Sequence, residues 1–151
     1  EDTLSLHDAL PISNGIQAMD LVGRKMMDQG EAAFRLLDEI ADGAEAARAE
    51  QPNLADEVWS ATQNLREATE SLLGQSMPDR FAGAVPYARA FARVLGGHYH
   101  LKAAVIAGPE SARARLATVY IRRLLPEHHA ALREAREGAA GLYALSVDDL
   151  S

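Results

Sequence analysis

The sequence predicts an all-α fold, an up-down antiparallel bundle of four to five helices. Alanine occurs 29 times in 151 residues, whereas valine, isoleucine and threonine together occur 16 times. Strong helix formers therefore outnumber the residues that favour strands. Apolar residues also recur every three or four positions in long segments joined by short connectors, and this pattern is typical of a helical bundle.

The composition excludes several kinds of site and partner. The chain contains no cysteine, which excludes disulfides, thiolate zinc sites and Fe–S clusters. Its net charge of −7 argues against binding to nucleic acid. The longest stretch without Asp, Glu, Lys or Arg has eleven residues, and a transmembrane helix needs about 20. We expect no nucleic-acid partner, no membrane span and a cytoplasmic location.

The first thirteen residues differ from the rest because they show no sustained apolar period. We interpret residues 1–13 as a disordered tail or as an artefact, since TLSLHDALPIS resembles a translated sequencing adapter. Helix 1 is predicted over 15–28, with Asn14 as its N-cap and Gln17 completing a capping box. Its apolar stripe comprises Ile16, Met19, Val22 and Met26.

The next two helices have clear boundaries. Helix 2 is predicted over 31–49 and ends before Pro52, because the residue before a proline disfavours the helical conformation. Its predicted face comprises Phe34, Leu37, Ala41, Ala44 and Arg48, with Ile40 beside it. Helix 3 is predicted over 54–74, with Asn53 as its cap. Its apolar residues follow a 4-3-4-3-4 spacing that is typical of a heptad seam; they are Leu54, Val58, Ala61, Leu65, Ala68 and Leu72.

Helix 4 is predicted over 79–107 and helix 5 over 110–145. Pro86 should lie in the first turns of helix 4 or kink it, and Pro126 should bend helix 5 or split it. Gly96 and Gly97 each cost about 1 kcal/mol in a helix, so we expect a neighbouring helix to approach them closely. The predicted core residues of helix 4 are Phe81, Val85, Ala88, Phe91 and Leu95, and Lys102 lies on or near the same face. Those of helix 5 are Leu116, Val119, Tyr120, Leu124, Leu132, Ala135, Ala139 and Leu142.

The residues alone predict no catalytic group and no metal ligand. Four histidines lie in the predicted helices: His98, His100, His128 and His129. The members of each neighbouring pair cannot share a helix face, although one of each could meet across the bundle. No glutamate precedes a histidine by three positions, as in carboxylate-bridged metal bundles. We expect these histidines to be solvated or hydrogen-bonded, and no phosphate-binding or nucleophile motif occurs.

Three stretches resemble the acyl-CoA dehydrogenases. Residues 14–25 are similar to the segment that follows the family's catalytic glutamate, in the form E-G-T-N-G-I-Q-A-x-D-L-V-G-R-K. The other two stretches resemble an extra C-terminal helical domain. One comprises residues 82–91 with Val94 and Gly96-Gly97, and the other comprises residues 124–126 and 142–145 with Asp148. That domain occurs in a subgroup that includes 3-methylmercaptopropionyl-CoA dehydrogenase-like enzymes. The resemblance covers residues 14–150.

The resemblance implies that residues 14–29 form the last helix of the family's C-terminal core domain and that 30–151 form the appended bundle. It implies FAD as cofactor, with Asn14, Gly15 and Gln17 in the flavin site near its phosphates. The full enzyme would dehydrogenate an acyl-CoA, pass electrons to an acceptor and form a homo-oligomer. Here the catalytic glutamate's position holds Pro11, so the chain itself is expected to be inactive. The alternative is a non-catalytic helical scaffold or oligomerisation domain.

Overall fold

The computed structural model describes residues 6–24, 26 and 28–150, with side chains from residue 14 onward. Its α-helices are α1 (Leu6–Gly23), α2 (Glu31–Ala47), α3 (Pro52–Gly74), α4 (Met77–Ala82), α5 (Ala84–Ala107), α6 (Ala112–Arg123), α7 (Glu127–Arg136) and α8 (Ala140–Tyr143). A 3₁₀ turn, Val147–Leu150, follows. The described residues contain no strand, which confirms the all-α prediction. None of their helices is long and apolar enough to cross a membrane.

Helix α5 is the centre of the bundle and packs against α1, α2, α3, α6 and α7. The heptad prediction for α3 is confirmed, since all six seam residues are buried. They lie between α2 on one side and α5 on the other. The core therefore forms around the α3–α5 pair, and the remaining helices cover it.

A buried polar contact joins α3 to α5. The Thr69 hydroxyl donates to the Leu65 carbonyl at 2.7 Å, so the Tyr87 hydroxyl donates to Thr69 Oγ1 at 2.8 Å. Burial raises the pKa of Tyr87 to about 12. Both hydroxyls are satisfied inside the core, as buried polar groups in native proteins generally are.

Both glycines in the middle of α5 face neighbouring helices, as predicted. A Cβ atom added at Gly96 would lie 2.1 Å from the hydroxyl oxygen of Tyr120 in α6. A Cβ atom at Gly97 would lie 3.5 Å from Val58 and Leu125, which is an ordinary van der Waals distance. Gly96 is therefore the position where the missing side chain allows the close approach.

The junction between α4 and α5 lies directly on the backbone of α7. A Cβ atom added at Gly83 would lie 2.3 Å from the carbonyl oxygen of Ala135. Asp79 holds the chain that leaves α7, because its carboxylate accepts hydrogen bonds from the Ala139 amide at 2.8 Å and the Ser76 hydroxyl at 2.6 Å. These two bonds keep the pKa of Asp79 below its ordinary value.

The predicted limits of helix 1 are wrong. Helix α1 begins at Leu6, so the backbone of residues 6–13 is helical and Asn14 is not an N-cap; residues 1–5 lie outside the described residues. The helix ends at Gly23, before the predicted end at Asp28. Asp28 instead caps α2, since its carboxylate accepts hydrogen bonds from the amides of Gly30 and Ala32.

The last two predicted helices are divided in the structure. Predicted helix 4 breaks at Gly83 into α4 and α5, and Pro86 lies in the first turn of α5 as expected. Predicted helix 5 becomes α6, α7 and α8. The division at Pro126 confirms the expected break there, since Pro126 is the N-cap of α7. Gly138, with a positive φ of 73°, separates α7 from α8.

Several predicted core positions are wrong because the buried helix faces are rotated. In α6, Leu116 and Val119 are 53% and 57% exposed, whereas Ala114, Ala117 and Ile121 are buried. The small alanines allow α6 to lie close against α5, and the larger side chains then point outward. The other predicted core residues that are exposed are Ile16 and Met19 in α1, Phe81 in α4, Val85 in α5, Leu124 after α6 and Leu142 in α8.

Candidate functional site

A groove of about 560 Å³ lies between α1 and α5. Asn14 and Gln17 line it, and both side chains are exposed. Gly15 is half-buried and lies beside this lining rather than in it. The groove is completed by Ala18 and Leu21 of α1 and by Val85, Ala88, Arg89 and Ala92 of α5.

Arg89 is the residue of this groove that the site prediction missed. It is the one charged side chain in the described lining, and it forms no ion pair or hydrogen bond with the described residues. The sequence did contain a signal for Arg89, because this residue belongs to the stretch 82–91 that carries part of the resemblance. Its proximity to Asn14 and Gln17 arises from the packing of α1 on α5.

Asn14 offers an anion no free backbone N–H group, because it is not the N-cap that the sequence predicted. Asn14 lies well inside α1, where backbone N–H groups bond to carbonyls one turn earlier. The donors available at the groove are therefore side chains: the amides of Asn14 and Gln17 and the guanidinium of Arg89. A guanidinium with nearby amides suits phosphate or carboxylate oxygens, because charge-assisted hydrogen bonds are stronger than neutral ones.

The comparison with protein families gives a match over most of the chain. A family model described as acetyl-CoA dehydrogenase C-terminal like matches residues 36–146. The chain belongs to this family. No curated protein and no solved structure matches the chain.

The acetyl-CoA dehydrogenase C-terminal-like match begins within α2 and ends after α8. It includes the α5 wall of the groove with Arg89, whereas the α1 wall with Asn14 and Gln17 precedes it. The family implies FAD in full-length enzymes. The positive charge of the groove's guanidinium complements the negative charge of such a cofactor's diphosphate. The groove's volume of 560 Å³ also lies within the range found for ligand sites.

Within the family domain, His128 is a buried, hydrogen-bonded histidine. Its exposed fraction is 3%. Its Nδ1 atom donates to the Leu125 carbonyl at 2.6 Å, so Nε2 accepts from the Asn64 amide at 3.1 Å. Burial lowers the pKa of His128, and the neighbouring His129 acts in the same direction. Among the described residues, no three His, Asp or Glu side chains lie close enough to hold a metal ion.

We expect the free energy of unfolding to fall as the pH drops below about 6.5, the ordinary histidine pKa. Because the pKa of folded His128 lies below that value, the unfolded chain takes up the proton first. The stability from this group is complete above the unfolded pKa and is lost as the pH falls toward the folded pKa. The pKa of His98 is also lowered, so it adds to the same slope. Urea unfolding at about pH 7.5, 6.5 and 5.5 measures the effect.

Two variants test the two buried histidines in this measurement. His128→Gln should make the dependence on pH shallower, because one of the titrating groups is removed. His98→Gln should also make it shallower, because the pKa of His98 is lowered as well. A protein that becomes more stable as the pH falls from 7.5 to 5.5 would contradict the argument.

Proposed function

We propose that this chain is a C-terminal part of an FAD-dependent acyl-CoA dehydrogenase, which removes hydrogens from the α and β carbons of an acyl-CoA thioester. The family match to residues 36–146 carries this proposal. The motif at residues 14–25, which precedes the matched range, also supports it, because this motif resembles the segment next to the family's catalytic base. The cytoplasmic location remains a prediction.

In this proposal the groove between α1 and α5 holds the anionic part of the cofactor. Asn14 and Gln17 donate side-chain hydrogen bonds to phosphate oxygens, and Arg89 neutralises part of their charge. A Cβ atom added at Gly15 would meet no described atom within 4 Å, so the helix surface is open at that point. When bound, FAD supplies the acceptor for the hydride, and these residues bind and orient it.

The chain supplies no base for the α-proton. Pro11 occupies the position of the family's glutamate, and a proline side chain has no group that accepts a proton. Catalysis therefore depends on a carboxylate and on flavin-enclosing walls that these residues do not provide. The acyl-CoA, the electron acceptor and the homo-oligomeric assembly belong to the full enzyme in this proposal.

The full reading frame tests the function directly. We expect its product to carry FAD and to bleach the flavin when an acyl-CoA from a panel of chain lengths is added. The source DNA should encode Glu-Gly-Thr immediately before Asn14. A short gene with its own start codon, and no flavin domain in frame, would contradict the proposal.

The isolated chain is expected neither to retain FAD nor to dehydrogenate any acyl-CoA. A few charge-assisted contacts contribute about 1.5–3 kcal/mol each, and not additively, whereas micromolar binding requires about 8 kcal/mol. FAD titration followed by flavin fluorescence measures this, with Arg89→Met as the matched variant. Saturable quenching in the micromolar range that survives Arg89→Met would show that the groove is not the part of the cofactor site assigned here.

A scaffold or oligomerisation domain is the second candidate, and exposed apolar side chains favour it. Leu116 and Val119 point outward from α6, and Leu142 and Tyr143 are exposed in α8. Exposed apolar side chains are the ones that a protein interface would bury. Sedimentation of the purified chain distinguishes the candidates when combined with the reading frame: a stable oligomer from a gene without a flavin domain supports the scaffold.

A further inference from the structure

The C-terminal segment, residues 140–150, is exposed along its whole length. It comprises α8 and the 3₁₀ turn that follows. Its large apolar side chains are between 60% and 86% exposed; they are Leu142, Tyr143, Leu145, Val147 and Leu150. Single apolar side chains on a surface are ordinary, whereas several in one short segment form a surface that an interface would bury.

This segment has a defined shape and a negative charge. The Asp149 carboxylate accepts hydrogen bonds from the Ser146 amide at 2.8 Å and the Ser146 hydroxyl at 2.7 Å. These bonds lower the pKa of Asp149, so its carboxylate is ionised at neutral pH. Asp148 is a second acidic residue, and residues 140–150 include no Lys, Arg or His. The segment therefore offers apolar side chains together with two carboxylates.

The outward face of α6 has the opposite charge. Arg113, Leu116, Val119 and Arg123 follow one another at three or four positions, so they share one helix face, the α6 stripe. Leu116 and Val119 are 53% and 57% exposed, and both arginines are exposed as well. Helix α6 contains four arginines and no acidic residue. Arg113 and Arg123 form no ion pair with the described residues. The stripe thus has an apolar centre with a cation at each end.

The C-terminal segment and the α6 stripe match in apolar character and are opposite in charge. Both are exposed in the single chain, so neither covers the other there. The amide of Ala139, where the segment begins, is held by the Asp79 carboxylate at 2.8 Å, which ties the segment to α4. Every chain carries both surfaces, so a pair related by a two-fold axis would cover both surfaces of both chains.

We propose that the C-terminal segment of one chain packs on the α6 stripe of a second copy. The apolar side chains of the segment lie against Leu116 and Val119, and its carboxylates lie beside the arginines at the ends of the stripe. The proposal does not rest on the dehydrogenase activity, because neither surface includes a residue of the groove between α1 and α5.

Sedimentation equilibrium of the full chain measures the dimer. The interface is small, so we expect a dissociation constant on the order of 10–100 μM. Raising the NaCl concentration from about 0.05 to about 0.5 M should weaken the dimer severalfold, because exposed charges are screened by salt. A dimer that high salt strengthens would contradict the charge match and overturn the proposal.

Leu116→Glu tests the α6 stripe. The new carboxylate would face the carboxylates of the C-terminal segment, so we expect a dimer that is weaker by at least about tenfold. Leu116 is exposed, so the variant should fold, and circular dichroism checks this. Ile106→Glu is the matched control, because Ile106 is 78% exposed on α5 and belongs to neither surface. It should dimerise as the unaltered chain does.

Cross-linking tests which surfaces meet. The chain contains no cysteine, so an introduced pair reports only on its own contact. A tagged chain with Leu116→Cys and an untagged chain with Leu145→Cys should form a mixed disulfide faster than chains with Ile106→Cys and Leu145→Cys. The proposal is overturned if the full chain is monomeric throughout the concentration range. It is also overturned if Leu116→Glu dimerises normally, or if the two mixed disulfides form at the same rate.

Discussion

Replacing Leu65 with alanine is expected to lower the free energy of unfolding by about 2–5 kcal/mol. Leu65 is fully buried in the α3 seam, between α2 and α5. The truncation removes apolar contacts and leaves a cavity that the surrounding helices cannot fully close. Domains are stable by only about 5–15 kcal/mol, so the loss should appear as a large shift of the urea midpoint measured by circular dichroism.

Leu116→Ala is the matched control for that truncation. It removes the same atoms from a helix, but Leu116 is 53% exposed on the outer face of α6. We expect a change within about 0.5 kcal/mol, as for other surface substitutions. Equal losses in the two variants would mean that α6 is buried against something and that its outward face is wrongly assigned.

Gly83→Ala is expected to destabilise the fold by about 1–3 kcal/mol. The new methyl carbon would lie 2.3 Å from the Ala135 carbonyl oxygen, which is backbone and cannot rotate away. The φ angle of Gly83 is −86°, which alanine adopts without strain, so the whole effect comes from the collision. The junction of α4 and α5 must then move away from α7, and thermal or urea unfolding measures the loss.

Gly74→Ala tests whether that loss is specific. Gly74 is the last residue of α3, and a Cβ atom there would meet no described atom within 4 Å. Alanine has the higher helix propensity, so the variant should be neutral or more stable by up to about 1 kcal/mol. If Gly83→Ala were also stabilising, the close contact between Gly83 and Ala135 would be refuted.

The sequence was most informative where large apolar residues kept one spacing over several turns. The seam of α3 is the example, because leucine, valine and alanine at heptad positions allow only one face to be buried. Breaks were also predictable where proline limits the backbone, as at Pro126. Both features are local, and neither depends on which helices become neighbours.

The faces of α5 and α6 could not be predicted in the same way. Residue hydrophobicity favours leucine and valine as core residues, whereas close packing of α6 on α5 selects Ala114 and Ala117. The groove shows the same limit. Asn14 and Gln17 were found through the resemblance, but Arg89 joins them only because α1 packs on α5, a tertiary contact that no local pattern encodes.

Substitutions at Ala114 and Ala117 can almost only increase the size of the side chain. An alanine has a single methyl group to lose, so nearly every other residue would add atoms and separate α6 from α5. The outward Leu116 and Val119 carry no such restriction from this interface. Substitutions in α6 should therefore be tolerated on the outward face and destabilising on the face that packs against α5. The small residues of this helix, rather than the large ones, are the constrained positions.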